Sequence, residues 1–336
     1  MNILLTGGAG YIGSHAAVVL TEAGHQVIIL DNFSNSHRGV LERLVEILGK
    51  AVLCVEGDIR DATLVKKVLQ DYNVDAVMHF AGLKAVGESV QRPMEYADNN
   101  VGGTISLLAA MAQANVKSLV FSSSATVYGE PQYLPLDEKH PTSATNPYGR
   151  NKLHIEEILS DVVAADEAWR VISLRYFNPI GAHESGLIGE DPNGIPNNLL
   201  PYVGKVATGE LPCLSVYGND YETPDGTGVR DYIHVMDLVE GHLCALNYIR
   251  QHAGYAVVNL GTGIGTSVLE MVKAYEVASF KKIIYRVVVR RPGDVPSCYA
   301  KVDKAWDMLG WAAKRSIVDM CTSSWHWQQN RTKFSR

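Results

Sequence analysis

Asn2-Ile3-Leu4-Leu5 runs directly into Thr6-Gly7-Gly8-Ala9-Gly10-Tyr11-Ile12-Gly13-Ser14-His15, and this stretch decides the fold. A short apolar strand is followed by glycines at 7, 10 and 13, spaced G-x-x-G-x-x-G, and then by the helix-length segment Ser14–Ala23. Glycine permits a tight turn, lets backbone N–H groups approach a pyrophosphate, and lets the helix pack closely on the strand. The helix turns the positive end of its dipole toward the phosphates. With a strand before it and a helix after it, the motif predicts a dinucleotide site rather than a bare turn.

Outward from the loop the same alternation continues. Gln26–Leu30, Ala51–Val55, Ala76–Phe80, Ser118–Phe121 and Val171–Leu174 are brief apolar runs. Between them lie helix-length segments such as Ala62–Asp71, Asn100–Ala114 and Tyr148–Ala164. Repeated βαβ units predict an α/β fold: a Rossmann-type, doubly wound parallel sheet with helices on both faces. After Phe177 glycine, proline and asparagine become frequent, over Asn178–Pro201 and Gly218–Gly228, which is loop texture suited to shaping a pocket. Residues 1–175 therefore read as a nucleotide-binding domain and 176–336 as a smaller α/β substrate-binding domain. Val257–Leu260 looks like a strand returning to the first sheet.

Composition narrows the function classes. A formal charge of −6, with no basic run interleaved with aromatics, argues against a nucleic acid polymer as partner. No apolar run approaches the length needed to cross a bilayer, and no leader-like segment precedes the first strand, so no membrane association is expected. The five cysteines, Cys54, Cys213, Cys244, Cys298 and Cys321, are scattered and odd in number, and no Cys/His pair has metal-ligand spacing. A reduced, cytoplasmic setting and no metal site follow as expectations. The histidines, His79, His234 and His242 among them, and Trp325 and Trp327 read as packing residues.

Asp31 ends the second strand, 18 residues past Gly13. A carboxylate there accepts hydrogen bonds from the adenosine ribose and repels a 2′-phosphate, so NAD is expected rather than NADP. Arg38 is a nearby cation that could take the extra phosphate.

Chemistry enters with Ser122-Ser123-Ser124 at a strand end and Asn146-Pro147-Tyr148-Gly149-Arg150-Asn151-Lys152 further on. Asn146 suits the N-cap and Pro147 the first helical position, placing Tyr148 and Lys152 one turn apart on one face. A free tyrosine titrates at about pH 10. A lysine ammonium one turn away, with the positive charge of a bound nicotinamide, favours the phenolate. Tyr148 could then take a proton from a carbinol while hydride leaves the same carbon, with Ser124 holding the oxygen. Ser124, Tyr148 and Lys152 are the expected catalytic residues.

These residues resemble the extended short-chain dehydrogenase/reductases, and within them the family of UDP-galactose (UDP-glucose) 4-epimerases. The likeness rests on Gly7–Gly13, Asp31–Ser36, Glu56–Arg60, the long block His79–Ser89, Ser122–Gly129, Arg175–Pro179, Gly194–Leu199 and Arg230–Val235. It implies that Tyr11 and Ile12 meet the pyrophosphate of NAD, Asp31, Asn32, Asn35 and Ser36 the adenosine side, and Asp58 and Ile59 the adenine. Phe80, Ala81, Gly82, Lys84, Asn99, Ser122, Tyr176 and Phe177 would line the rest. On the substrate side it implies Asn178, Asn198 and Leu199 at the sugar and diphosphate, Arg230 and Arg291 on the phosphates, and Asp294 on the uridine ribose. Cys298 falls where some members carry a tyrosine that walls the sugar pocket, leaving room for a 2-acetamido group. Family membership further implies a homodimer through helices 100–114 and 148–164.

Two stretches depart from the family pattern. Phe280-Lys281-Lys282-Ile283-Ile284-Tyr285 lacks the expected glycine and proline, and Gly102-Gly103 adds a glycine to a helix start, at a cost of about 1 kcal/mol against alanine. Rival activities remain in view: another sugar-nucleotide epimerase or dehydrogenase, or a non-catalytic NAD-binding regulator. Dehydratases of this type need an acid beside the serine, and Ala125 and Thr126 supply none.

Overall fold

In the computed structural model, which describes residues 1–331 apart from Asn193, Ile195, Asn197 and Pro292, thirteen strands form three sheets. The strands are β1 (Asn2–Thr6), β2 (Gln26–Asp31), β3 (Leu53–Glu56), β4 (Ala76–His79), β5 (Ser118–Ser124), β6 (Arg170–Tyr176), β7 (Asn178–Ile180), β8 (Leu214–Tyr217), β9 (Val229–His234), β10 (Gly254–Leu260), β11 (Gly265–Ser267), β12 (Tyr285–Val288) and β13 (Ser297–Cys298).

The large sheet has seven parallel strands in the order β10-β6-β5-β4-β1-β2-β3. Its central strands are buried on both faces, with β3 at the edge part-exposed, and successive side chains serve opposite cores. Ile3 and Leu5 of β1 join Ile29, Met78 and Ile172 beneath helices 11–22 and 235–251. Leu4 joins Ile28, Val77 and Phe121 against helices 62–71, 103–113 and 147–165. Because all seven strands run parallel, their carboxyl ends lie along one edge, where ligands of such sheets bind. The reversal of strand order falls between β1 and β4.

The helical stretch expected over 100–114 differs in detail: a π-helical segment, Ala97–Gly102, leads into an α-helix, Gly103–Gln113. This changes the reading of the paired glycines. A Cβ on Gly103 would lie 2.6 Å from Ile59 Cδ1, so the bare Cα leaves room for the Ile59 side chain against this helix. The expected propensity cost is partly offset by that packing.

The other two sheets are small. β9 pairs with β7, β11 and β13 in a four-stranded sheet, and β8 pairs with β12. A third core of Val203, Val216, Tyr232, Met271, Tyr275 and Met320 fills this part. Helix Ile317–Arg331 packs into it through Met320 and Cys321. Phe280 closes helix 268–279 in the left-handed region, at φ 54, almost wholly exposed. That is the backbone the family's glycine would adopt without strain. Among the described residues no helix is long and apolar enough to cross a membrane, and no group of three His, Cys, Asp or Glu side chains converges on a metal position.

Candidate active site

At the carboxyl edge of the large sheet the glycine loop closes on its neighbours to the limit of contact. Gly7 adopts φ 68, and a Cβ there would sit 2.7 Å from the Ala81 amide nitrogen. A Cβ on Gly13 would sit 2.3 Å from the Gly7 carbonyl oxygen. Only glycine fits either position, and the close approach leaves the loop's backbone lining a cleft. Gly7, Gly10, Tyr11, Ile12, Gly13, Asp31, Asn32, Asn35, Ser36, Asp58, Ile59, Phe80, Ala81, Gly82, Lys84, Asn99 and Ser122 all border that cleft. An elongated dinucleotide with a pyrophosphate at its middle matches this lining in shape and chemistry.

Asp31 is knitted into the loop. Its oxygens accept from the backbone N–H of Ala9 (2.9 Å) and Phe33 (2.9 Å) and from the Ser36 hydroxyl (2.9 Å). Arg38 is turned away from any added phosphate by a two-point ion pair with Glu56, at 2.5 Å each. Both carboxylates at this end disfavour a 2′-phosphate. Asp58, in the same cleft lining, is held down to about 2, chiefly by hydrogen bonds from Arg60.

Sequence reasoning missed several contributors. Asn100, buried in the π-helical segment, accepts from Leu83 N–H (2.8 Å) and donates to Leu83 carbonyl (3.0 Å), pinning the 80–84 loop. A π-segment at a functional loop is a recurrent device, but no residue pattern announced it. Glu190, Asp191 and Pro192 complete the cleft lining from the far half of the chain. Their loop-rich context was visible, whereas their return to the cofactor side depends on tertiary structure.

Ser122 joins the cleft to the reactive trio. Asn146 caps helix 147–165 by accepting from Gly149 N–H at 2.9 Å, with Pro147 in the first turn, as its sequence predicts. Tyr148 and Lys152 consequently share a face, with the Lys152 ammonium 5.9 Å from the Tyr148 ring centre. Lys152 is buried and donates to the Ser122 carbonyl at 2.6 Å. Ser124 lies beside the Tyr148 hydroxyl and accepts from Thr126 N–H at 3.2 Å and from the Thr126 hydroxyl at 2.9 Å.

Burial pushes the Tyr148 phenol up to about 12, with the neighbouring Ser124 hydroxyl drawing it partly back. Burial likewise pulls Lys152 down to about 8, opposed by the nearby Glu156 carboxylate. Burial thus holds the phenol protonated; the expected phenolate needs the lysine together with the charge of a bound nicotinamide.

Behind the trio, one more turn along the helix, lies a buried ion pair. Glu156 accepts from Arg175 at 2.6 and 3.0 Å and from the Ser123 hydroxyl at 2.5 Å. Arg175 in turn lies 4.8 Å over the Tyr128 ring. Charges taken so far from water persist only when paired in this way. The network ties the serine-bearing end of β5 to the Tyr/Lys helix.

Tyr176 and Phe177, expected at the cofactor, are largely buried: the Tyr176 hydroxyl meets His242 and neighbours Ser122, and Phe177 packs with Val127, Tyr128 and Leu136.

The opposite wall is looser. Asn178 stands exposed on β7, and Asn198 precedes helix 199–207, which begins at Leu199. Arg230 on β9 is paired in register with Cys298 on β13, and Asp294 lies 3.9 Å from its guanidinium. Arg291 rests 4.4 Å above the Tyr217 ring. Burial pushes the Cys298 thiol up to about 11, so it is a small neutral wall rather than a nucleophile. Of the Gly194–Leu199 and Arg291–Tyr299 stretches, Ile195, Asn197 and Pro292 lie outside the described residues.

Known proteins complete the picture. The model of the GDP-mannose 4,6 dehydratase family matches residues 4–324. The UDP-glucose 4-epimerase of Bacillus subtilis is 56% identical over 330 residues, 98% of this chain and 97% of its own. Among solved structures, UDP-glucose 4-epimerase from Bifidobacterium longum, in complex with NAD+ and UDP, superposes with a TM-score of 0.96 at 54% identity, covering 99% of this chain and 100% of its own. The enzyme from Stenotrophomonas maltophila, with bound NAD and formylated UDP-arabinopyranose, gives 0.97 at 48% identity, with 99% of each chain covered. With this full-length likeness added to the glycine loop and the Ser124, Tyr148 and Lys152 set, the chain belongs to the UDP-glucose 4-epimerase family.

Proposed function

We propose that this chain is an NAD-dependent UDP-hexose 4-epimerase that interconverts UDP-galactose and UDP-glucose by transient oxidation at C4. The observation that carries the reading is Tyr148, half-buried beside Ser124 and one turn from Lys152, at the Ser122 end of a dinucleotide cleft. Residues 1–175 serve chiefly the cofactor and 176–336 the sugar nucleotide, while β10 and helix 235–251 join the first sheet and Glu190–Pro192 reach the cofactor cleft.

The glycine loop, Asp31, Lys84 and Asn99 would hold NAD, which would supply reversible hydride acceptance from C4. Tyr148 takes the proton from the 4-hydroxyl and later returns it. Ser124 holds the reacting oxygen, and Lys152 adds positive charge and fixes the strand end through Ser122. Arg230 and Arg291 grip the diphosphate by charge-assisted hydrogen bonds, and Asp294 the uridine ribose. Asn178, Asn198 and Leu199 touch the sugar side lightly, leaving the ring free to present either face.

The dehydratase name on the matching family model does not extend to this chemistry, because Ala125 and Thr126 beside Ser124 supply no carboxylic acid. NMR of the purified protein with UDP-galactose and no added NAD tests the reading. UDP-glucose is expected, with no accumulating reduced cofactor. No product even after NAD is added would discard the assignment.

Activity on UDP-GalNAc and UDP-GlcNAc is proposed as well, because Cys298 is small and partly buried beside Arg230. Cys298→Tyr is expected to abolish only the acetamido-sugar activity; equal loss on both substrate pairs would refute the steric argument. A homodimer through helices 103–113 and 147–165 is supported by the exposed Val90, Met94 and Ile105 on and beside this surface. The free cysteines fit a reducing, cytoplasmic setting.

A further inference from the structure

The cofactor cleft is crossed by a strap, residues 189–192, that comes from the sugar-nucleotide half of the chain. Its backbone is bolted from behind by the C-terminal helix. Gly189 lies so close to Trp327 that a Cβ would fall 2.4 Å from the indole, and the Trp327 ring N–H donates to the Glu190 carbonyl at 3.2 Å. With the main chain fixed, the Glu190 side chain is the part that can choose partners. It is buried, and one of its oxygens, Oε1, accepts from two donors at once: Lys84 Nζ at 2.7 Å and Asn198 Nδ2 at 2.6 Å.

Those donors belong to different sites. Lys84 borders the dinucleotide cleft, and Asn198 stands at the start of helix 199–207 on the sugar-nucleotide wall. The shared carboxylate holds Lys84 across the mouth of the cleft by a charge-assisted hydrogen bond, and Asn198 fixes the geometry in which it does so.

We propose that Glu190 is a positioning residue that couples cofactor retention to occupancy of the sugar-nucleotide site. The assignment rests on the NAD and UDP-sugar reading above. A nucleotide that orders Asn198 also orders the carboxylate it shares with Lys84, and so keeps the strap closed over the dinucleotide. An empty sugar-nucleotide site leaves that hydrogen bond free to open.

The test follows release of labelled NAD from the holoenzyme into excess unlabelled NAD, with and without saturating UDP. The parent is expected to release NAD more slowly with UDP present. Glu190→Gln keeps the shape but removes the charge. It is expected to release NAD about tenfold faster, the loss of roughly one charge-assisted hydrogen bond, and to lose the UDP effect. If Glu190→Gln does not fold, Glu190→Asp, too short to reach both donors, is expected to shift release in the same direction. A release rate unchanged by the substitution, no UDP effect in the parent, or UDP slowing release as much in the variant overturns the coupling. A purified protein that binds no NAD at all overturns instead the functional reading on which the coupling rests.

Discussion

The two walls of the site are built by different means. On the cofactor side the contacts come from the ends of parallel strands and from a loop with no spare volume, where an added Cβ at Gly7 or Gly13 would fall within 2.7 Å of backbone atoms. On the sugar-nucleotide side, the charged groups stand apart: Arg230 is 3.9 Å from Asp294, and Arg291 lies over Tyr217. On the proposed function, one wall would hold its ligand by shape, and the other by charge carried on side chains with room to adjust. An enzyme that must keep one molecule still while another turns needs that asymmetry.

The sharpest way to break the comparison is Tyr148→Phe. Loss of the proton-transfer group is expected to lower kcat by about 10²- to 10⁴-fold, with the amount of NAD carried by the purified protein unchanged. Turnover and the absorbance of NAD released on denaturation measure both. A parallel loss of NAD would mean that chemistry and cofactor grip are not separable on this wall.

Arg230→Met probes the other wall. Removing charge-assisted hydrogen bonds to the diphosphate is expected to raise KM for UDP-sugars by about ten- to a hundredfold, leaving kcat within a few fold and NAD content intact. Steady-state kinetics separate the two parameters. A matching fall in kcat would show that Arg230 also aims the reacting ring, and would weaken the division of labour.

The smallest effect is expected at Phe280→Gly. Relief of the left-handed strain, less the added chain entropy of glycine, is expected to stabilise the fold by about 0.5–1 kcal/mol, read from urea unfolding. KM for UDP-sugars should not move. If it does, the 280–285 turn is linked to the loop that carries Arg291.

Legibility in the sequence followed the same divide. Parallel strands, their order of use and the glycine loop could be read because strand period and turn chemistry are local, as with Asn146-Pro147 setting Tyr148 and Lys152 on one helical face. Gly103 was legible only as a cost; that it faces Ile59 is a tertiary fact. Asn100 acts through a π-turn that no spacing encodes. Glu190 sits 106 residues from the Lys84 it pairs with, in a loop-rich stretch where composition fixes no position.

Strand β10 carries a consequence for how the protein is made. It pairs along β6 from Gly254↔Arg170 to Leu260↔Tyr176, yet it is synthesised after 78 further residues (254 − 176). At ordinary translation rates of about 5–20 residues per second, the nascent chain carries an apolar strand, Val171-Ile172-Ser173-Leu174, with one edge open for about 4–16 s. Such an edge is a template for pairing with any neighbouring chain. The growing polypeptide is therefore most prone to self-association in that interval, and chaperone occupancy on the ribosome should rise there and fall once residue 260 has emerged.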